Sequence, residues 1–229
     1  MRLHRFYVLQ PLGEEVVIDD VSLIKQWTKV FRYTQGDFVI LFNGEGTDIT
    51  YSIEEISPKI ILLNRSSLSP SYTPHKKVTL YLSLIKKDNF ELAVQKATEL
   101  GVTTIVPILS ERSEKKNIDL DRLQKIVIES SEQSGRGDVP TILPIITLSE
   151  IVETQLPHDV SYVLQMGESS LRRHYNQEIS VGLFIGPEGG WSDEEKKLFQ
   201  EKNILSVSLG STTLRAETAA IVATAYILE

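Results

Sequence analysis

Hydrophobic and polar residues alternate with period two over Thr50-Tyr51-Ser52-Ile53-Glu54-Glu55-Ile56, the pattern of a half-buried strand. Phe38-Val39-Ile40-Leu41-Phe42 runs into the turn Asn43-Gly44-Glu45-Gly46, and Ile60-Ile61-Leu62-Leu63 adds a further strand. Between Asp19 and Arg32, Val21, Ile24, Trp27 and Val30 recur at helical spacing and predict one short amphipathic helix. Residues 1–68 therefore read as a small domain rich in β-structure. Ser66 to Pro74 carries serine and proline without periodicity, and residues 69–76 read as a linker.

From residue 77 the pattern changes to apolar strands separated by helical stretches. Val78-Thr79-Leu80-Tyr81-Leu82-Ser83-Leu84-Ile85 is a strand. Asp88 and Glu91 have the spacing of a capping box, Phe90, Val94 and Ala97 share one helical face, and Gly101 stands where a C-terminal cap belongs. Burying Phe90 and Val94 contributes roughly 1.5–3 kcal/mol each, so packing more than propensity holds this helix. Residues 102–109 form the next strand. Leu120, Leu123, Ile126 and Val127 give a helix within 119–135, and 160–165 is a strand entering Met166-Gly167-Glu168. Residues 218–228 are apolar nearly all round, which requires burial in their own domain or against a second copy.

Two more apolar runs empty into glycine. Val181-Gly182-Leu183-Phe184-Ile185 precedes Gly186-Pro187-Glu188-Gly189-Gly190, and Ile204-Leu205-Ser206-Val207-Ser208-Leu209 precedes Gly210-Ser211-Thr212-Thr213-Leu214-Arg215-Ala216-Glu217-Thr218. Such runs read as buried parallel strands, and ligands of open α/β sheets sit outside the carboxyl ends of the strands. A plain tight turn capped by Ser192 and Asp193 is the other reading of the first block. Neither block has the spacing of a Rossmann or Walker nucleotide site.

Composition narrows the chemistry. The 229 residues hold no cysteine, which excludes disulfides, thiolate metal sites and cysteine nucleophiles and fits a reducing, cytoplasmic setting. His4, His75, His158 and His174 lie far apart, so no metal site is expected. No stretch reaches the roughly 18 apolar residues that span a bilayer, and no apolar signal-like run opens the chain. The net charge of −7 excludes only a uniformly basic nucleic-acid binder.

Gly-Pro-Glu-Gly-Gly followed by Leu209, Gly210, Leu214, Arg215, Glu217, Thr218 and Ala219 resembles the RsmE family, the 16S rRNA (uracil-N3)-methyltransferases of the SPOUT class. Lys86-Lys87-Asp88 with Gln95-Lys96-Ala97-Thr98-Glu99-Leu100-Gly101, Ser110-Glu111-Arg112-Ser113, and Glu132-Gln133-Ser134-Gly135-Arg136 resemble three further family blocks in family order. The resemblance implies an α/β SPOUT domain with a C-terminal trefoil knot at 77–229, a PUA-like RNA-binding barrel at 1–68, and a homodimer. It implies S-adenosylmethionine as cofactor, contacted by Leu164, Met166, Gly186, Gly189, Gly190, Leu209, Gly210 and Leu214. It further implies 16S rRNA or the small ribosomal subunit as partner, reached through Arg2, Arg5, Lys29, Arg32 and Arg112, with Glu188, Arg215 and Arg136 as catalytic candidates. Where the family usually has histidine ahead of Val-Leu-Arg, this chain reads Gln26-Trp27-Thr28-Lys29-Val30-Phe31-Arg32. A SPOUT enzyme acting on another RNA such as tRNA, and a non-catalytic RNA-binding protein, are the competing readings.

Overall fold

The computed structural model describes residues 3–153, 156–173 and 179–228. The chain divides into two compact units, residues 1–73 with 131–138 and residues 74–130 with 139–229.

The first unit carries β1 (Arg5–Tyr7), β2 (Glu15–Ile18), α1 (Val21–Lys25), β3 (Phe38–Phe42), β4 (Thr47–Ile56) and β5 (Ile61–Pro70). Its sheet has the order β1-β3-β4-β5-β2; β1 and β3 run parallel and the remaining pairs antiparallel. Alternation along β3, β4 and β5 turns Val39, Leu41, Tyr51, Ile53 and Leu63 inward onto Phe6, Ile24 and Trp27. The segment read as linker begins two residues too early, because β5 continues to Pro70 opposite Thr47. Backbone pairing holds this end of the strand; its side chains stay exposed and give no hydrophobic signal.

The expected helix over 19–32 is in fact five residues of α1 followed by a π-helical turn, Gln26–Phe31. Ile24 and Trp27 are buried as expected, but Val21 and Val30 are 60% and 69% exposed. The wider turn delays the next inward position from Val30 to Phe31, which packs against the core. Arg32 closes the turn with φ of 57°.

Residues 131–138 join this unit through main-chain carbonyls and one side chain. The Arg5 guanidinium donates to the carbonyls of Ser131, Glu132 and Arg136, and the Tyr7 amide donates to the Glu132 carboxylate. The division therefore departs from a boundary placed once along the chain.

The second unit holds β6 (Lys77–Ser83), α2 (Lys87–Leu100), β7 (Thr104–Leu109), most of α3 (Leu120–Ser134), β8 (Thr141–Ile142), β9 (Ile146–Thr147), α4 (Leu148–Glu153), β10 (Val160–Leu164), β11 (Ser180–Ile185), α5 (Asp193–Glu201), β12 (Leu205–Val207) and α6 (Ala216–Leu228). The sheet is parallel throughout, in the order β12-β10-β11-β6-β7-β8, with β9 also pairing β7. Both faces are covered, so its strands are apolar on both sides. Val78, Leu80 and Leu82 pack with Phe90, Val94, Ala220 and Ala223, whereas Tyr81, Val106 and Phe184 pack with Leu148, Ile151 and Phe199.

α2 starts at Lys87 with Lys86 as its N-cap residue, so Asp88 is a first-turn acid and the expected capping box does not form. Gly101 ends the helix as expected, its N–H reaching the carbonyls of Ala97 and Thr98.

Candidate active site

β10, β11 and β12 are neighbours in register, with Tyr162 opposite both Leu183 and Leu205. Their carboxyl ends are adjacent, and the turns after them open side by side. The turn after β10 and the turn after β12 are tied together: Ser208 N donates to Ser169 O (2.8 Å), Leu171 N to Ser208 O (2.9 Å) and Ser208 Oγ to Glu168 O (2.7 Å). Trp191 Nε1 donates to Leu164 O at 3.3 Å, attaching the β11 turn to β10. Leu164 ends β10, and Met166, Gly186, Gly189, Gly190, Leu209, Gly210 and Leu214 lie on the segments that follow the three strands. Met166, Gly189 and Gly210 are exposed, and Leu164, Leu209 and Leu214 are half-buried.

The β11 turn is braced from several sides. Gly190 N donates to Pro187 O at 2.9 Å, and Gly190 has φ of +67° with open space where a Cβ would point. Arg112 Nη1 donates to Gly189 O at 3.0 Å, and a Cβ on Gly189 would stand 3.2 Å from Arg112 Cβ. Ser192 and Glu195 form a reciprocal capping box at the start of α5 (Glu195 N to Ser192 Oγ 3.2 Å, Ser192 N to Glu195 Oε2 2.8 Å). Glu195 Oε1 also accepts from Glu111 N at 2.9 Å, which joins the loop after β7 to the glycine turn. Sequence reasoning missed Glu195, although the Ser-x-x-Glu spacing at the start of a helix carried the signal.

The catalytic candidates are not all brought together. Glu188 is exposed on the turn, with Oε1 accepting from Lys86 N at 3.3 Å. Arg215 is exposed 4.0 Å from the buried Glu217 carboxylate, whose Oε2 has no hydrogen-bond partner. Arg136 belongs to the first unit and is 2% exposed, held by Asp138 through Nε (3.0 Å) and Nη2 (2.7 Å). A guanidinium buried and bidentate to a carboxylate is held in place by the fold.

Arg5 is held in a similar way. Its side chain is 8% exposed, binds both oxygens of Asp48 (2.7 and 2.6 Å) and lies over the Phe42 ring. Lys29 and Arg32 are exposed. They belong to the segment that carries Phe31 and Tyr33, whose rings stack at 5.5 Å; His4 lies 4.3 Å from Phe31 and bonds the Tyr33 hydroxyl through Nδ1 at 2.7 Å. Burial, with Asp37 adding to it, pushes that hydroxyl up to about 12. Arg2 lies outside the described residues.

Among the described residues no group of histidine, aspartate and glutamate is arranged to hold a metal, and no helix is long and apolar enough to cross a membrane. A concavity of about 590 Å³ lies at the amino ends of β10 and β12, lined by His158, Asp159, Lys202 and Asn203. Ligands of open parallel sheets sit instead at the carboxyl ends of the strands, where the glycine turns lie.

Residues 72–228 match a family model described as an RNA methyltransferase domain, and residues 28–64 match one described as an RNA methyltransferase PUA domain. The class is that of RNA methyltransferases. The chain is 32% identical to the ribosomal RNA small subunit methyltransferase E of Rickettsia conorii, over 99% of this chain and 96% of that protein. It is also 32% identical to the protein of the same name from Synechocystis, over 96% and 77%. A Legionella pneumophila methyltransferase solved with bound S-adenosylmethionine superposes with a TM-score of 0.90 at 31% identity, covering 99% and 97% of the two chains. The ribosomal RNA small subunit methyltransferase E of Neisseria gonorrhoeae, bound to the same molecule, gives 0.90 at 29%, covering 98% and 96%. The chain belongs to the ribosomal RNA small subunit methyltransferase E family within the RNA methyltransferases.

Proposed function

We propose that this protein transfers a methyl group from S-adenosylmethionine to N3 of a uridine in the 16S rRNA of the small ribosomal subunit. The observation that carries the proposal is the set of adjoining glycine-bearing turns at the ends of β10, β11 and β12. Such a site fits a donor with an adenine, a ribose and a sulfonium but no phosphate. Main chain at Gly186, Gly189, Gly190 and Gly210 meets its polar groups, and Leu164, Met166, Leu209 and Leu214 cover the adenine. Bound there, the donor supplies an electrophilic methyl group.

The chain's own residues do the remainder. Lys86 N fixes one oxygen of Glu188, which leaves the other free to take the imide proton. The exposed guanidinium of Arg215 offers donors to the uracil oxygens, on which negative charge grows as that proton leaves. Lys29 and Arg32 contact RNA phosphates. β12 returns on the far side of β10 from β11, and the turn at Ser169 is bonded to Ser208; this supports a trefoil knot at the site. The apolar α6 supports a homodimer, and the protein acts in the cytoplasm.

Nucleoside mass spectrometry of 16S rRNA tests the proposal, comparing a strain lacking the gene with the same strain after its return. The expected result is loss and recovery of 3-methyluridine. An unchanged level, or loss of a methylated nucleoside from tRNA instead, overturns it.

A further inference from the structure

A cavity of about 270 Å³ opens beyond the carboxyl end of β6, between the first turns of α2 and α3. Its apolar wall comes from Ile85, Phe90, Ile118 and Leu123, and Lys87, Lys115 and Asn117 stand at its edge. It contains no residue of the glycine turns, so it is not the donor's site. It is nevertheless tied to them: Lys86, between two residues that line it, donates its amide to Glu188 at 3.3 Å.

We infer that this cavity receives the uracil base while it is methylated. The inference rests on the functional reading above and names the substrate half of that site. Its volume is just below the range of drug-sized ligand pockets, a size suited to a single extruded base. Base-modifying enzymes draw the nucleotide out of its stack and hold it against apolar side chains, which Phe90 and Leu123 supply. Lys115 adds a positive charge to the lining that can meet the uracil oxygens as they become anionic. The acidic neighbours have other partners: Glu91 pairs with Arg122 (3.4 Å) and Lys87 (3.8 Å), and Asp119 accepts from Arg122 N (2.9 Å). Glu188, at the end of the Lys86 hydrogen bond, would then face a base held in the cavity.

The test uses the full chain, radiolabelled S-adenosylmethionine and small ribosomal subunits from a strain lacking the activity. Asn117→Trp fills the mouth from an exposed position; the expected result is a fall in kcat/KM for subunits of about 100-fold, the cost of a misplaced substrate. Lys115→Met is expected to lower kcat about tenfold. Donor affinity, read by calorimetry, stays within about twofold in both, which also shows that they fold. A wild-type rate for Asn117→Trp overturns the assignment, and so does donor affinity that falls in step with activity, because the cavity would then belong to the donor. A wild-type protein that methylates no subunit overturns the functional reading first, and the cavity's assignment with it.

Discussion

The amide of Lys86 donates to Oε1 of Glu188 across 3.3 Å, joining the start of α2 to the glycine turn after β11. One carboxylate oxygen is thereby oriented by main chain, which a glutamine can imitate while losing the ability to take a proton. Glu188→Gln is therefore expected to keep donor affinity and to lower the single-turnover rate about 100-fold or more, the usual scale for general base catalysis. A wild-type rate in this variant would clear Glu188 of proton transfer and leave it a brace.

Gly189 tests the donor site itself. A Cβ there would stand 3.2 Å from Arg112 Cβ, and Arg112 also holds the Gly189 carbonyl at 3.0 Å. Gly189→Trp must push against that arginine and fill the space in front of the turn. Titration calorimetry is expected to show S-adenosylmethionine binding weakened about 100-fold, equivalent to roughly 3 kcal/mol. Unchanged affinity would remove this turn from the site.

These turns were legible as turns because bare glycines after short apolar runs are a local signal. Other features depend on partners remote in sequence. Arg5 reads as a surface cation until Asp48 and the carbonyls of residues 131–136 are folded against it, and Arg136 likewise until Asp138 closes on it. The π-helical turn defeats helical spacing because one additional residue per turn moves the inward position from Val30 to Phe31. β12 was readable as a strand; its return to the far side of β10 is set by packing that no local pattern encodes.

Glu195 holds two loops with one buried carboxylate, accepting from Ser192 N and Glu111 N on different oxygens. Alanine would leave both amides unpaired. The expected loss in Glu195→Ala is about 2–3 kcal/mol, from the loss of buried bonds to a charged group. Glutamine can serve only one of the two amides, so Glu195→Gln should recover less than half. Urea unfolding checks this through the midpoint at constant m-value; a midpoint shift below about 0.2 M for alanine would show that the link between the loops carries no stability.

Lys29 and Arg32 are exposed, whereas the Arg5 side chain is 8% exposed and fully engaged. Binding of the double variant Lys29→Ala with Arg32→Ala to small subunits should therefore be weaker, with the slope of log affinity against log salt reduced by about 2. Arg5→Ala should instead lower the melting temperature and leave that slope near wild type once folded. A slope unchanged in the double variant would place the RNA path elsewhere.

His158 sets an acid limit. Its Nε2 lies 3.0 Å from the Tyr81 hydroxyl, and burial holds the imidazole below its ordinary 6.5 despite the opposing charge of Asp159. A histidine kept neutral by the fold contributes stability that is present above the unfolded value of 6.5 and is lost as pH falls through its depressed folded value, because the unfolded chain then binds the proton more readily. Tyr81 sets the opposite limit: burial pushes its hydroxyl from 10.0 up to about 12, so its contribution is present below pH 10 and fades from there to about 12. Melting temperatures between pH 8 and pH 5 should fall less steeply in His158→Gln, which carries no titrating ring, than in the wild type. Parallel curves for the two proteins would mean that acid sensitivity arises at other groups.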